Sequence, residues 1–126
     1  MKVTGLLFWV QDNTLTEKFY KKIGFSIATS DDQVSVVRLG NFEITLVTMR
    51  DEEKFAHDAL AAHKGKGAYV YIAVEDVDIF YRQLIQKGVH PTTAPQDWSW
   101  GNREFIVKDP DGYKLCFWQK LPQLSS

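Results

Sequence analysis

The sequence predicts an α+β fold: two tandem β-α-β-β-β modules that curl mixed sheets around a concave cleft, with helices on the convex side. Three observations carry this. Asp12 to Gly24 and Asp76 to Gly88 have the same length, each opening on an acidic residue and closing on glycine. Those residues are a helix start and a left-handed helix stop. Late in each half, "NFEITLV" overlays "GYKLCFW". Between the halves, the charged, alanine-containing "DEEKFAHDALAAHKGK" interrupts the pattern, which then restarts. One such unit has a sheet face that it cannot cover alone; two can close around a shared concavity.

The elements follow in order. Val3 to Val10 is a short β-branched and aromatic run, hence a strand. Asp12, Asn13 or Thr14 caps the first helix, where Leu15, Phe19, Tyr20 and Ile23 recur at helical spacing. "FSIATSDDQVSVVRLGNFEITLVTM" reads as three strands, with turns near Ser30-Asp31-Asp32 and Gly40-Asn41. Residues 51–66 are a connector with a helical turn or two. "AYVYIAVED" is the next strand. The second helix carries Val77, Phe80, Tyr81, Leu84 and Ile85 as its apolar set. A short strand, a loop and a final hairpin complete the chain. Pro110 and Gly112 set the dihedrals of that hairpin's Asp109-Pro110-Asp111-Gly112 turn.

The length of 126 residues suits a single domain: module one over 1–50, the connector, and module two over 67–121. Hydrophobic residues at 44% and charged residues at 25% are ordinary for a globular chain. A net charge of −1 argues against a protein that holds nucleic acid by its overall field. The single cysteine, Cys116, rules out an internal disulfide framework and a multi-cysteine zinc site. The apolar run in "MKVTGLLFWVQD" breaks at Gln11 and Asp12 and lacks a small-residue cleavage site, so it is not read as a signal peptide. No segment approaches the roughly 18 apolar residues of a membrane span. The expected location is the reducing cytoplasm.

The duplicated unit, with "FYKKIGF" in one half and "WGNREFIVKDPDGYKLCFW" in the other, resembles the vicinal oxygen chelate superfamily. That group holds glyoxalase I, bleomycin-resistance proteins, fosfomycin-resistance enzymes and extradiol dioxygenases. The likeness covers about residues 3–119, and the Trp-Gly-x-Arg-Glu-Phe run ahead of Asp-Pro-Asp-Gly is similar to the bleomycin-resistance-like branch. The resemblance implies a metal slot on each of four strands, filled in the metal enzymes by His or Gln, Glu, His and Glu. Carried over, the slots fall on Gly5, Thr45, Tyr69 and Cys116. Glycine offers no side chain, Thr and Tyr are poor neutral ligands, and one Cys cannot make a divalent site. No metal and no other cofactor is expected. His57, His63 and His90 read as exposed and uninvolved.

Side chains alternate across a strand. If the slots point inward, so do Leu7, Trp9, Glu43, Val47, Tyr71, Ala73, Lys114 and Trp118. Trp9, Tyr69, Tyr71 and Trp118 become walls; Glu43, Thr45, Lys114 and the two phenols become polar handles. Leu6, Phe8, Val10, Ile44, Leu46, Leu115 and Phe117 then face the helices as core. Trp98 and Trp100 sit in a loop beside the cleft, where they close a lid, bury in a dimer interface or pack on the hairpin. Arg103 and Glu104 point to opposite faces, and one or the other forms a salt bridge near the pocket mouth; Arg103 is also a ligand candidate, since a guanidinium binds a carboxylate or stacks on a flat ligand, with surface pairing its commoner outcome. Glu43 either serves as an inward general base or cation binder, or pairs with Lys114, its counterpart in the other module. Cys116 reads as a buried, inert thiol.

These residues point first to a metal-free protein of the bleomycin-resistance type. It would sequester an aromatic or amphipathic small molecule, an antibiotic among the candidates. The resemblance also implies a homodimer. Two other readings compete: a metal-dependent or Glu43-assisted lyase, isomerase or dioxygenase, and a module that only dimerises or binds a protein. Neither a nucleic acid nor a membrane is an expected partner.

Overall fold

A computed structural model describes residues 1–48 and 55–122. Its elements are β1 (Gly5–Val10), α1 (Asn13–Lys22), β2 (Ser26–Ser30), β3 (Val34–Leu39), β4 (Phe42–Thr48), α2 (Ala56–Ala59), β5 (Tyr69–Ala73), α3 (Val77–Gln86), β6 (Gln96–Asp97), β7 (Asn102–Lys108) and β8 (Lys114–Lys120). The strands form two four-stranded sheets of the same order, β1-β4-β3-β2 and β5-β8-β7-β6. In each, the first and last strands of a module pair in parallel and the remaining neighbours run antiparallel. This is the predicted α+β duplication. The chain divides into two compact units. Unit 1 is Met1–Lys64 with Asp109–Asp111; unit 2 is Gly65–Lys108 with the chain from Gly112 onward.

The helix frames repeat in detail. Asp12 and Asp76 both adopt extended backbone, and their carboxylates accept the first free helix N–H groups: Thr14 and Leu15 for Asp12, Ile79 for Asp76. Such a cap satisfies donors that the helix itself leaves without partners. Both helices stop at a glycine with positive φ, 116° at Gly24 and 83° at Gly88. The next residue's N–H then turns back to the helix, Phe25 to the Tyr20 carbonyl and Val89 to the Leu84 carbonyl.

In unit 1, Phe8, Val10, Ile44 and Leu46 are buried as the strand parity predicts, whereas Leu6 is exposed, one residue from the open end of β1. The helix face differs in part from the expectation. Tyr20 and Ile23 are buried as expected, but Leu15 is exposed, and Asn13 and Thr16 are buried in its stead. Polar groups can occupy that face because each is bonded. Asn13 Nδ2 donates to the Asp31 carbonyl at 3.0 Å and to Ser35 Oγ at 2.9 Å, and its Oδ1 accepts from Thr48 Oγ1 at 2.9 Å. Glu17 accepts from both Ser30 and Ser35 hydroxyls. Tyr20 donates to buried Asp109 at 2.7 Å. Asp111 accepts from the Gln11 N–H at 2.8 Å, from Thr16 Oγ1, and from Lys64. The acidic turn is therefore part of this unit's polar framework as well as a hairpin bend.

In unit 2 the core is aromatic. Phe117 lies 4.8 Å from Phe80 and 5.3 Å from Phe105, and Tyr81 meets Phe105 edge-on. Val77 and Leu84 complete the buried side of α3, while Ile85, expected with them, is exposed. Gln119 on β8 accepts the Val77 N–H at 2.6 Å and so fixes the start of α3 against the sheet. The connector's expected helical turn is α2; residues 51–54 lie outside the described residues.

Candidate functional site

The open face of the second sheet follows from its register. Tyr69 pairs with Lys114, Tyr71 with Cys116 and Ala73 with Trp118, while Glu104 pairs with Trp118 and Ile106 with Cys116. Because cross-strand partners share a face, Glu104 and Ile106 stand beside Tyr71, Cys116 and Trp118. Arg103, Phe105 and Val107 take the other side. The β6–β7 hairpin adds the indoles. Trp98 N–H donates to the Asn102 carbonyl and Gly101 N–H to the Trp98 carbonyl, making a tight turn. That turn stacks Trp98 on Trp100, with ring centroids 4.9 Å apart and planes 6° from parallel.

Together these elements bound a cavity of about 390 Å³, lined by Tyr69, Tyr71, Thr93, Trp98, Trp100, Glu104, Ile106 and Cys116. Glu104 is its focus. Only 7% exposed, it accepts from Tyr71 Oη, from Trp100 Nε1 at 3.2 Å, from Asn102 Nδ2 at 3.0 Å and from Cys116 Sγ at 3.5 Å. Burial pushes its carboxyl upward, and these four hydrogen bonds outweigh burial, holding it below the usual value. Tyr71 moves the opposite way, raised chiefly by its bond to Glu104. Burial, with the neighbouring Glu104 charge, pushes the Cys116 thiol up to about 12. The thiol is protonated and unreactive at neutral pH.

These shifts have a sign. Glu104 is held below its ordinary 4.5, so its contribution to stability is present above that value and is lost as pH falls through the lower folded value. Tyr71 and Cys116 are raised, so their contributions are lost as pH rises through their folded values. Glu104→Gln is expected to flatten the acid side of a stability–pH curve measured by urea unfolding. An unchanged acid slope would assign that slope to other carboxylates.

The predicted site residues divide. Tyr69, Tyr71, Trp98, Trp100 and Cys116 line the cavity. Trp118 stacks on Tyr71 at 5.5 Å and backs the wall, and Lys114 lies 5.0 Å from the Tyr69 ring centroid. Arg103 points away from the cavity. Its guanidinium grips Asp78 at two points, both 3.0 Å, and Asp97 at 2.8 Å. That bond holds the Asp78 carboxyl below its usual value. Glu104, on the opposite face, takes the place assigned to Arg103. Leu7, Trp9, Glu43 and Thr45 belong to unit 1. There, Leu7 is exposed, Trp9 packs on Phe55 at 5.1 Å, Thr45 is half-buried, and Glu43 is bound by Arg38 Nε at 3.0 Å rather than free as a base. Thr93, Ile106 and Glu104 join the site from outside the predicted set. Unit 1 has its own cavity of about 340 Å³ between Val10, Gln11, Ala59 and Lys64, but among the described residues no aromatic ring lines it, and Lys64 is paired with Asp111.

The metal slots do not fit a metal. A Cβ on Gly5 would lie 1.9 Å from the Glu43 carbonyl oxygen, so β1 and β4 approach too closely there for any side chain. Thr45 and Tyr69 offer only neutral oxygens, and Cys116 is the sole thiol in the chain. Among the described residues, no three His, Cys, Asp or Glu side chains are grouped to hold an ion, and His57, His63 and His90 are all exposed. No helix among them is long and apolar enough to cross a membrane.

The repeated strand order and a cavity on an open sheet face define the class: a tandem βαβββ protein with room for a small molecule. The chain belongs to the Glyoxalase/Bleomycin resistance protein/Dioxygenase superfamily, whose family model matches residues 3–117. It is 29% identical over 111 residues to a bleomycin resistance protein of Geobacillus stearothermophilus, covering 79% of this chain and 82% of that one. A Staphylococcus aureus bleomycin resistance protein matches to the same extent. Among solved structures, a bleomycin-binding protein in complex with bleomycin aligns over 95% of this chain and 98% of its own, with a TM-score of 0.67 and 24% identity. A glyoxalase/bleomycin resistance protein/dioxygenase from Nocardioides covers 99% and 90%, with a TM-score of 0.78 and 19% identity. At these identities the two structures speak for the fold.

Proposed function

We propose that the chain sequesters a flat, amphipathic small molecule in the unit 2 cavity, with no bond made or broken. The observation that carries this is the pairing of a stacked Trp98–Trp100 wall with a deep, hydrogen-bonded carboxylate in a cavity of about 390 Å³. That is the size and lining expected of a small-molecule site: mostly apolar walls with a few placed polar groups. The bleomycin resistance relatives support sequestration as the mode and make antibiotics the first panel to screen. A net charge of −1 does not favour bleomycin itself. The reading keeps the binder metal-free, in the reducing cytoplasm, and paired with a second copy as the family resemblance implies. Light scattering at micromolar concentration tests the pairing.

The decisive variant is Trp98→Ala, because Trp98 supplies stacking area while Trp100 also bonds Glu104. Truncating an aromatic anchor is expected to weaken binding by about 1.4 kcal/mol, which is about tenfold. Titration of tryptophan fluorescence with a flat aromatic probe should show that loss, with the circular dichroism of the fold retained. Unchanged affinity in Trp98→Ala and Trp100→Ala would rule out the cavity as the binding site.

A further inference from the structure

We infer that the unit 2 cavity selects ligands carrying a protonated nitrogen on a flat aromatic frame, with Glu104 as the group that recognises the charge. This rests on the cleft reading above and adds a ligand class to it.

Three observations converge. First, the charge of Glu104 is solvated but not cancelled. All four of its donors are neutral groups, and among the described residues no lysine, arginine or histidine forms an ion pair with it. Arg103 is held by Asp78 and Asp97, and the Lys114 ammonium sits over the Tyr69 ring rather than on Glu104. Second, its two oxygens are unequal. Among the described residues, Oε2 accepts from Tyr71, Trp100 and Asn102, whereas Oε1 holds only the Cys116 thiol at 3.5 Å. A thiol is a weak donor, so Oε1 keeps capacity for a strong N–H. Third, the cavity around the carboxylate is aromatic: Tyr71 and Trp100 meet Glu104 through their O–H and N–H edges, and Tyr69 and Trp98 line the same space. The quadrupole of an indole or phenol ring favours a cation over its face, more so where water is excluded. Tyr69 already has an ammonium above it, which leaves the indole pair and Tyr71 for the ligand.

An ammonium entering this cavity would meet an opposite charge and negative ring faces. A neutral analogue would gain stacking alone. An anion would meet Glu104 and lose its hydration. Charge-assisted hydrogen bonds are about twice as strong as neutral ones, so discrimination should be at least tenfold.

The test uses the intact chain and three probes on one ring system: naphthylmethylammonium, naphthylmethanol and naphthoate, titrated by calorimetry at neutral pH. The expected order is ammonium at least tenfold tighter than alcohol, with naphthoate weakest. In Glu104→Gln, which keeps the shape and an acceptor but not the charge, the ammonium-to-alcohol ratio should fall towards one. The wild-type ranking stands by itself if that variant fails to fold. Equal affinity for ammonium and alcohol, or preference for naphthoate, overturns the inference while leaving the cleft reading in place. A ratio preserved in a folded Glu104→Gln removes Glu104 as the recognising group. Failure of all three probes to bind overturns the cleft reading as well.

Discussion

Replacing Asn13 with leucine is expected to destabilise the protein by about 3 kcal/mol, although the two side chains are similar in size. Asn13 is 2% exposed and sits at the first turn of α1, against the sheet. Its amide gives two hydrogen bonds, to the Asp31 carbonyl and the Ser35 hydroxyl, and takes one from Thr48. Its backbone N–H uses the same Thr48 oxygen at 2.8 Å. One side chain thus joins α1 to the β2–β3 turn, to β3 and to β4. Leucine would take from the fully buried Ser35 hydroxyl its amide donor, from the buried end of α1 its bond to the Asp31 carbonyl, and from the half-buried Thr48 hydroxyl its acceptor. Each buried polar group that loses its partner costs about 1–3 kcal/mol. Urea unfolding should show a lower midpoint at an unchanged slope. A loss below about 0.5 kcal/mol would mean that water or a rotated hydroxyl replaces the amide. Leu15→Ala, at the exposed position on the same helix, should change little and serves as the control.

The same residue explains where the sequence was readable and where it was not. The two helix frames and the parity of β1, β4, β5 and β8 were legible because period and punctuation are local. An aspartate cap, a glycine stop and alternation need no knowledge of the partner strand. The inward face of α1 was not. Leu15 looked like core because it is apolar, while Asn13 and Thr16 look like surface until their partners on distant strands are known. The cavity was half legible. Tyr69, Tyr71 and Cys116 followed from alternation, and the two loop tryptophans from their density. Arg103 was the candidate because a guanidinium binds a carboxylate or stacks on a flat ligand, while alternation alone does not say which of Arg103 and Glu104 faces inward. Only the pairing of β7 with β8 shows that Phe105 meets Phe117, which turns Glu104 toward Trp118. Glu43 was matched to Lys114 by the duplication. Arg38, its cross-strand neighbour five residues earlier, was the nearer partner. Symmetry between modules predicted backbone well and side-chain partners poorly, since backbone pairing repeats while charges do not.

Phe117→Ala should have the largest effect on stability, about 4 kcal/mol, and should also weaken ligand binding. Phe117 is 1% exposed and touches both Phe80 and Phe105, so it joins α3, β7 and β8. Truncation removes the transfer energy of a buried ring and leaves a cavity that a four-stranded sheet and one helix can only partly close. The effect on binding follows from position. Cys116 and Trp118 flank Phe117 on β8 and point to the other face, where Cys116 lines the cavity and Trp118 backs Tyr71. If the strand settles toward the void, both move with it, and Tyr71 loses the ring that holds its phenol against Glu104. Affinity for an aromatic probe should therefore fall at temperatures where the variant remains folded. Phe117→Leu, which refills most of the space, should recover both stability and affinity in step. Recovery of stability without affinity would mean that the core supports the sheet but does not position the wall of the site.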